Sequence, residues 1–304
     1  MQNSANGTAA TEQPLNTMAV DWRSQLKEIV MKIVFAIAAL IFIAAVFVIC
    51  IYLFVRAVPA IAEIGFVDFL FGSKWLIGSG YYGIGTLIVG TCYSTVGALI
   101  IGVPIGLLTA VFMAFYCPKW LYSIMKPLTN ILAGIPSIVY GYFGLKVIVP
   151  MIRNAFGGAG FNVITTSLVL GIMILPTIIS ITENSLRAVP KSYYEGSLAM
   201  GATKERAIFR TIFPAAASGV MTAIILGLGR AIGETAAITL LCGNSANFPS
   251  SLTSPFITLA SAISSGMGYA TGLSLEALFA CAAVLFVFVL IITILVMLLR
   301  RKSR

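Results

Sequence analysis

An all-α membrane protein with six transmembrane helices and both termini in the cytoplasm is the fold this sequence predicts, and three observations predict it. The first is composition: 59% of the 304 residues are hydrophobic and 10% are charged, with a mean hydropathy of +1.02, where a soluble domain carries about 25% charged residues. The second is that six apolar runs reach the roughly 20 residues needed to cross the hydrocarbon. The third is the placement of the nineteen Lys and Arg residues: fourteen fall on the side that holds both termini, four on the other, and Arg230 inside a run. Such a bias marks the basic side as cytoplasmic. The net charge of +9 is thereby a matter of topology, and nucleic acid is not an expected partner.

In chain order, residues 1–29 are polar, with Gly7, Pro14 and several Ser, Thr and Asn. They read as a disordered cytoplasmic tail, because the apolar run that follows starts too late and is too long for a signal peptide. The first span is expected over 30–55. Residues 56–84 form an extracytoplasmic segment with room for a short amphipathic helix at the interface, and Trp75, Tyr81 and Tyr82 fit an interfacial aromatic belt. Five further spans, at 85–116, 128–150, 162–182, 219–241 and 277–299, make up the core. Pro104, Pro136 and Pro176 are tolerated in such helices when neighbours satisfy the freed backbone groups. The outer segment 242–276, rich in Ser, Gly and Pro, reads as a solvated connector or a partner-facing surface. Residues 300–304 are a basic cytoplasmic tail.

The sequence contains no His, which removes the commonest general base and the commonest metal ligand. Cys50, Cys92, Cys117, Cys242 and Cys281 show no paired spacing and are expected as small packing residues. No clustered catalytic set is present, so an enzyme is not expected and no metal or cofactor is assigned to the chain.

The cytoplasmic loop 183–214 has Pro190 and Pro214 near its ends. Ser192 as a cap with Glu195 three positions on gives capping-box spacing for a short helix to Met200. Gly201 permits a break, and Lys204 to Ile212 suits a second short helix leading into the fifth span. A bent helical hairpin of this kind is a knob for a groove on another protein. Glu195, Gly201 and Pro214 also fall at the positions of the cytoplasmic signature of ABC importer permeases, which the loop resembles. Gly196 and Ser197 stand for the two Ala of that signature, and Thr211 and Phe213 for its Ile and Leu. The resemblance implies a type I ABC importer permease fold and a loop that docks on a nucleotide-binding subunit. This sequence lacks a Gly-x-x-x-x-Gly-Lys-Ser/Thr phosphate loop, so ATP and Mg2+ are expected on a partner ATPase.

Two ionisable residues, Arg230 and Glu234, lie deep in the fifth run, where each costs about 2.5–3.5 kcal/mol on insertion scales. At about 100° per residue they sit about 40° apart on one helical face, close enough to pair. Gly219, Ala223 and Gly227 are expected on that face, leaving space before the charges, with Gly229 and Gly233 as a second close-approach stripe. The pair suits an anion path, with the Arg fork matched to an oxyanion and Glu234 accepting from a protonated oxygen; an ion pair that fixes helix register is the structural alternative. Gly229-Arg230-Ala231-Ile232-Gly233-Glu234-Thr235, then Gly243-Asn244, together with Ala133-Gly134-Ile135-Pro136-Ser137-Ile138-Val139-Tyr140-Gly141, resemble the high-affinity phosphate ABC permeases, PstC type. That resemblance implies a sister permease of PstA type, an ATPase dimer of PstB type and an extracytoplasmic phosphate-binding protein of PstS type. It places phosphate passage at Arg230, Glu234 and Thr235. An ABC permease for molybdate or phosphonate, or an ion-coupled symporter, is the alternative function. Glu183, at the cytoplasmic end of the fourth span, is expected among the lipid headgroups, with a gating role as the alternative, and Pro136 and Ser137 at a packing kink or along the path.

Overall fold

The computed structural model describes residues 22–302; residues 1–21 of the expected polar tail, and 303–304 of the basic one, lie outside the described residues. The expected tail is shorter than the sequence indicated, because residues 22–29 are already helical. Helix α1 (Trp22–Ile64) crosses a division of the chain into two units at Ile51. Its first part is a bare helix with exposed apolar side chains, and Lys32 pairs with Glu28 one turn earlier at 2.7 Å. A helix apolar all round is stable when lipid or other membrane helices surround it.

The second unit, Tyr52 onward, holds the rest. After α1, Gly65 turns the chain with a φ of 90° into α2 (Phe66–Phe71), then a small antiparallel hairpin of β1 (Trp75–Leu76) and β2 (Tyr81–Tyr82). The hairpin corrects the expected aromatic belt. Trp75 and Tyr82 are buried edge to face at 6.2 Å, and only Tyr81 is exposed. Both buried rings pack with Phe69, Ile84, Leu87, Leu259 and Leu278 in one cluster.

Helix α3 (Gly85–Val111) continues as a wider π turn over Phe112–Tyr116. A row of small residues spaced by four runs down it, Gly90, Ser94, Ala98, Gly102, Gly106 and Ala110, all buried. From Ser94 onward the row lies against α7 (Val163–Arg187), while Gly90 lies against Phe256 and Ile257. A side chain at Gly102 or Gly106 would meet Ile174 or Ile178 at 2.7 Å. Small residues let two membrane helices approach where no hydrophobic driving force exists between them.

The third run is not one helix. Helix α4 (Lys119–Gly134) ends at Ile135–Pro136, and the chain resumes as α5 (Ser137–Phe143), a π turn and α6 (Val149–Phe156), bent by 97°. Proline fixes φ and lacks an N–H, and the residue before it is pushed out of the helical region; Ile135 is extended, with ψ of 127°. The Tyr140 hydroxyl spans the break and donates to Leu132 O at 2.8 Å. After α7 come α8 (Lys191–Ala199), α9 (Lys204–Ala207), a π turn and α10 (Phe213–Ala215), then α11 (Ala217–Ile232), entered through a 71° bend. By length and composition, four described helices can span a membrane, or six when each bent pair counts as one span.

The fifth run also breaks, between α11 and α12 (Ala236–Leu241). The outer segment 242–276 then departs from the solvated connector expected. It carries a helix whose first turn is buried, α13 (Leu259–Gly266), before α14 (Leu273–Lys302). Thr258 and Ser261 form a reciprocal capping box at 3.1 Å in each direction, wholly inside the protein. Removing a cap costs about 1 kcal/mol, and a buried N–H left unpaired costs about 1–3 kcal/mol. Thr258→Ala is therefore expected to lower the thermal midpoint of the detergent-solubilised protein, with Thr258→Ser retaining most of it. An unchanged midpoint for the alanine variant would contradict this.

Candidate functional site

Around Arg230 the structure rearranges what a continuous helix would give. Gly233 ends α11, with its N–H bonded to Gly229 O at 3.1 Å, and α12 starts only at Ala236. Arg230 therefore lies in the last turn of α11 and Glu234 in the break that follows it, and the single helical face expected to hold both does not exist. No ion pair joins them among the described residues. The Arg230 guanidinium donates instead to Thr177 Oγ1 of α7 at 3.4 Å, a long contact. Glu234 is nearly buried, and its Oε1 accepts from Ala237 N at 3.1 Å, so it caps α12. A carboxylate is stabilised there by the unpaired amides and the positive end of the short helix. Thr235 turns back on its own chain, donating to Gly233 O at 3.2 Å.

The small-residue stripes also exchange roles. Gly219 packs on Ser185, and Gly227 on Ile178 and Ile174, so the face expected to be open is the one pressed against α7. A side chain added at Gly229 would meet nothing within 4 Å, and one at Gly233 only the Gly229 carbonyl of its own turn. Open space lies on that side. The paired breaks are adjacent: Gly141 of α5 sits against Ala237 of α12, and Arg230 lies in the last turn of α11, directly before the second break. Two interrupted helices thus meet beside one cation, the arrangement by which transporters expose backbone dipoles to a solute at mid-membrane.

At the cytoplasmic side, α8 and α9 form the bent hairpin expected, with a different cap. Pro190, not Ser192, precedes α8 and makes no side-chain bond. Proline suits the position because the first-turn N–H it lacks would be unpaired anyway. Gly201 takes a φ of 83°, a left-handed conformation that glycine adopts without steric cost. Thr203 caps α9 by accepting from Arg206 N at 3.3 Å. The departures from the signature contact each other, since the Thr211 hydroxyl reaches the buried Ser197 Oγ at 3.4 Å. Pro214 sits in the first turn of α10. Glu195 lines a 260 Å³ cleft with Phe115, Arg187, Tyr194 and Ile212, while Tyr193, Leu198 and Met200 project as an exposed apolar tip. The base is firm: Ile208 and Ile212 are buried with Val111, Leu186 and Val220, Phe115 stacks on Tyr194 at 6.2 Å, and Lys204 Nζ donates to Phe115 O at 2.9 Å.

Glu183 is where the sequence misled most. Instead of facing headgroups, its carboxylate is wholly buried. It accepts from Tyr122 at 2.7 Å, Lys126 at 2.6 Å and Arg187 at 2.7 Å. The spacing of Glu183 and Arg187, one turn apart, was a legible sign; that α4 would bring Tyr122 and Lys126 was not.

Similarity to known proteins matches this geometry. Residues 102–304 match the family described as binding-protein-dependent transport system inner membrane component. The chain is 36% identical over 257 residues to the probable ABC transporter permease protein YqgH of Bacillus subtilis, covering 83% of each chain. It is 35% identical over 257 residues to the phosphate transport system permease protein PstC of Haemophilus influenzae, covering 78% of this chain and 82% of that one. Among solved structures, a bacterial alginate ABC transporter chain aligns with a TM-score of 0.63 at 16% identity, over 93% of this chain and 98% of that one. A chain of the MetNI methionine ABC transporter aligns with 0.56 at 21%, over 73% and 97%. At these identities the structural likeness carries the fold alone.

Proposed function

The chain belongs to the binding-protein-dependent transport inner-membrane component family, and we propose that it is the PstC-type permease subunit of an ATP-driven importer of inorganic phosphate. The observation that carries the substrate is the guanidinium of Arg230, which pairs with no acid among the described residues, beside two interrupted helices. An Arg fork matches a tetrahedral oxyanion, and the open flank at Gly229 and Gly233 leaves room for the anion and for a sister permease of PstA type. Glu234 caps α12 through Oε1, and its other oxygen is an acceptor near the path for the O–H that hydrogen phosphate has and sulfate lacks.

Motive force comes from outside the chain. Glu195, Gly201 and Pro214 hold the cytoplasmic hairpin, whose apolar tip meets the ATPase dimer that carries ATP and Mg2+. An extracytoplasmic phosphate-binding protein delivers the solute. The decisive experiment is radiolabelled phosphate uptake in cells lacking other phosphate systems, with molybdate and sulfate as competitors, alongside copurification of the ATPase. Uptake is expected to resist both competitors, and deletion of residues 193–201 to abolish copurification. Strong competition by molybdate would reassign the oxyanion. Retention of the ATPase by the deleted chain would remove the hairpin from the drive.

A further inference from the structure

A carboxylate taken wholly out of water costs several kcal/mol unless donors surround it, and Glu183 has three. Their origins matter more than their number. Tyr122 and Lys126 come from α4, the first limb of the bent span, whose Trp120, Ile124, Leu128 and Ile131 face outward. Arg187 comes from the last turn of α7, directly before the hairpin. Its guanidinium continues past Glu183, donating to Met113 O at 2.8 Å and stacking on the Tyr122 ring at 4.7 Å. Met113 lies in the π turn that ends α3, where carbonyls lack intrahelical partners. Two residues on, Phe115 O takes Lys204 of the hairpin.

A continuous line of charge-assisted bonds thus runs from hairpin to α3, to α7 and to α4. Such bonds are short and roughly twice as strong as neutral ones. Beyond Lys126, α4 leads to the bend at Ile135–Pro136, and past it α5 rests on α12, which Glu234 caps. The other acid buried in the membrane region, Glu234, serves its own helix. Glu183 is the one that ties separate elements together.

We propose that Glu183 is a positioning residue for transport: its carboxylate is the joint through which displacement of the hairpin reaches α4 and, past the bend, the surroundings of Arg230. The proposal rests on the reading of the hairpin as the ATPase contact. A purely structural ion pair would matter for folding and leave the stoichiometry of transport untouched. A joint makes the opposite demand: a correctly assembled complex hydrolyses ATP while moving less solute.

The test uses the complete complex, reconstituted in proteoliposomes with its sister permease, ATPase and binding protein. Phosphate moved per ATP hydrolysed is measured for the wild type, Glu183→Gln, Lys126→Gln and the double variant. A nitroxide pair at Ile131 of α4 and Leu108 of α3 reports the ATP-driven shift of α4. Each single variant is expected to assemble, to hydrolyse ATP and to move phosphate at a ratio about fivefold or more lower, the low end of ordinary coupling between sites. The double variant should be no worse than the poorer single one, as for groups acting as a unit, and the α4 shift should shrink. Lys126 is a quarter exposed, so its variant decides the matter if Glu183→Gln does not assemble. A wild-type ratio and shift in Lys126→Gln would overturn the proposal, as would single losses that multiply in the double variant or an α4 that never moves in the wild type. A wild-type complex whose α4 shifts with ATP but which carries no phosphate would refute the substrate assignment and leave the joint standing.

Discussion

Arg230→Ala is expected to reduce phosphate uptake about tenfold to a hundredfold at sub-saturating phosphate, since a hydrogen bond to a charged group contributes about 1.5–3 kcal/mol and each 1.4 kcal/mol is a factor of ten. The geometry explains why the loss should fall on transport and not on folding. Arg230 is partly exposed, pairs with no acid among the described residues, and makes one long contact to Thr177. Its removal leaves no buried counter-charge, so the penalty seen when a buried ion pair is halved does not arise. The thermal midpoint should stay within a few degrees of wild type. Arg230→Lys should fall between, because it keeps the charge and loses the planar fork. Thr177→Val, which removes the contact and spares the cation, should transport nearly normally. Wild-type uptake by Arg230→Ala at equal membrane abundance would remove Arg230 from the path.

The same residue shows how far the sequence carries. Hydropathy located the fourth span closely, and α7 runs from Val163 with Asn162 accepting from Thr165 N as its cap. It was blind to the bends, because the runs around Pro136 and Gly233 stay apolar on average and a window average does not record a change of direction. The local chemistry was visible, as a proline whose predecessor cannot stay helical and a glycine beside two charges, but only packing decides whether such residues kink a helix or end it. Once α11 ends, angular arithmetic past Ile232 has no meaning, and the Arg230–Glu234 pairing fails with it. Thr235, placed on the path by resemblance, bonds only within its own segment. The hairpin was legible because its signals are local: Gly201 for the left-handed turn, Pro214 at a helix start. Glu183 was not, since its partners Tyr122 and Lys126 lie some sixty positions away. The row of small residues in α3 stands in the sequence at four-residue spacing but was not read from it; the structure shows it as the seam with α7.

The largest expected effect on folding lies at the start of that row, at Gly90, which packs on the outer segment before α13 and not on α7. A side chain there would run into the backbone carbonyl of Ile257, with Phe256 Cδ2 at 2.9 Å behind it. Ile257 immediately precedes the cap of α13, and the next residue of α3, Thr91, accepts from Leu259 N at 3.1 Å while donating to Leu87 O at 2.7 Å. Gly90 and Thr91 together form the seat of α13. At Gly106 an added methyl meets Ile178 Cγ2 at 2.7 Å and Cβ at 3.0 Å, a stiff branched side chain but not backbone. The Ile257 carbonyl is less able to yield, because its peptide is held through Thr258 N, which donates to Ser261 Oγ at 3.1 Å. Overpacking ordinarily costs about 1–3 kcal/mol, and with a rigid neighbour Gly90→Val should reach or pass the top of that range. About 3 kcal/mol is more than a hundredfold in the folding equilibrium, so the variant should accumulate poorly in the membrane and fail to bind its partners. Gly90→Ala should be intermediate, and Gly106→Ala milder than either. Thr91→Val, which strands the Leu259 amide without adding bulk, should cost about 1–3 kcal/mol. Normal abundance and a wild-type melting profile for Gly90→Val would mean that α13 is not seated on α3 in the working protein.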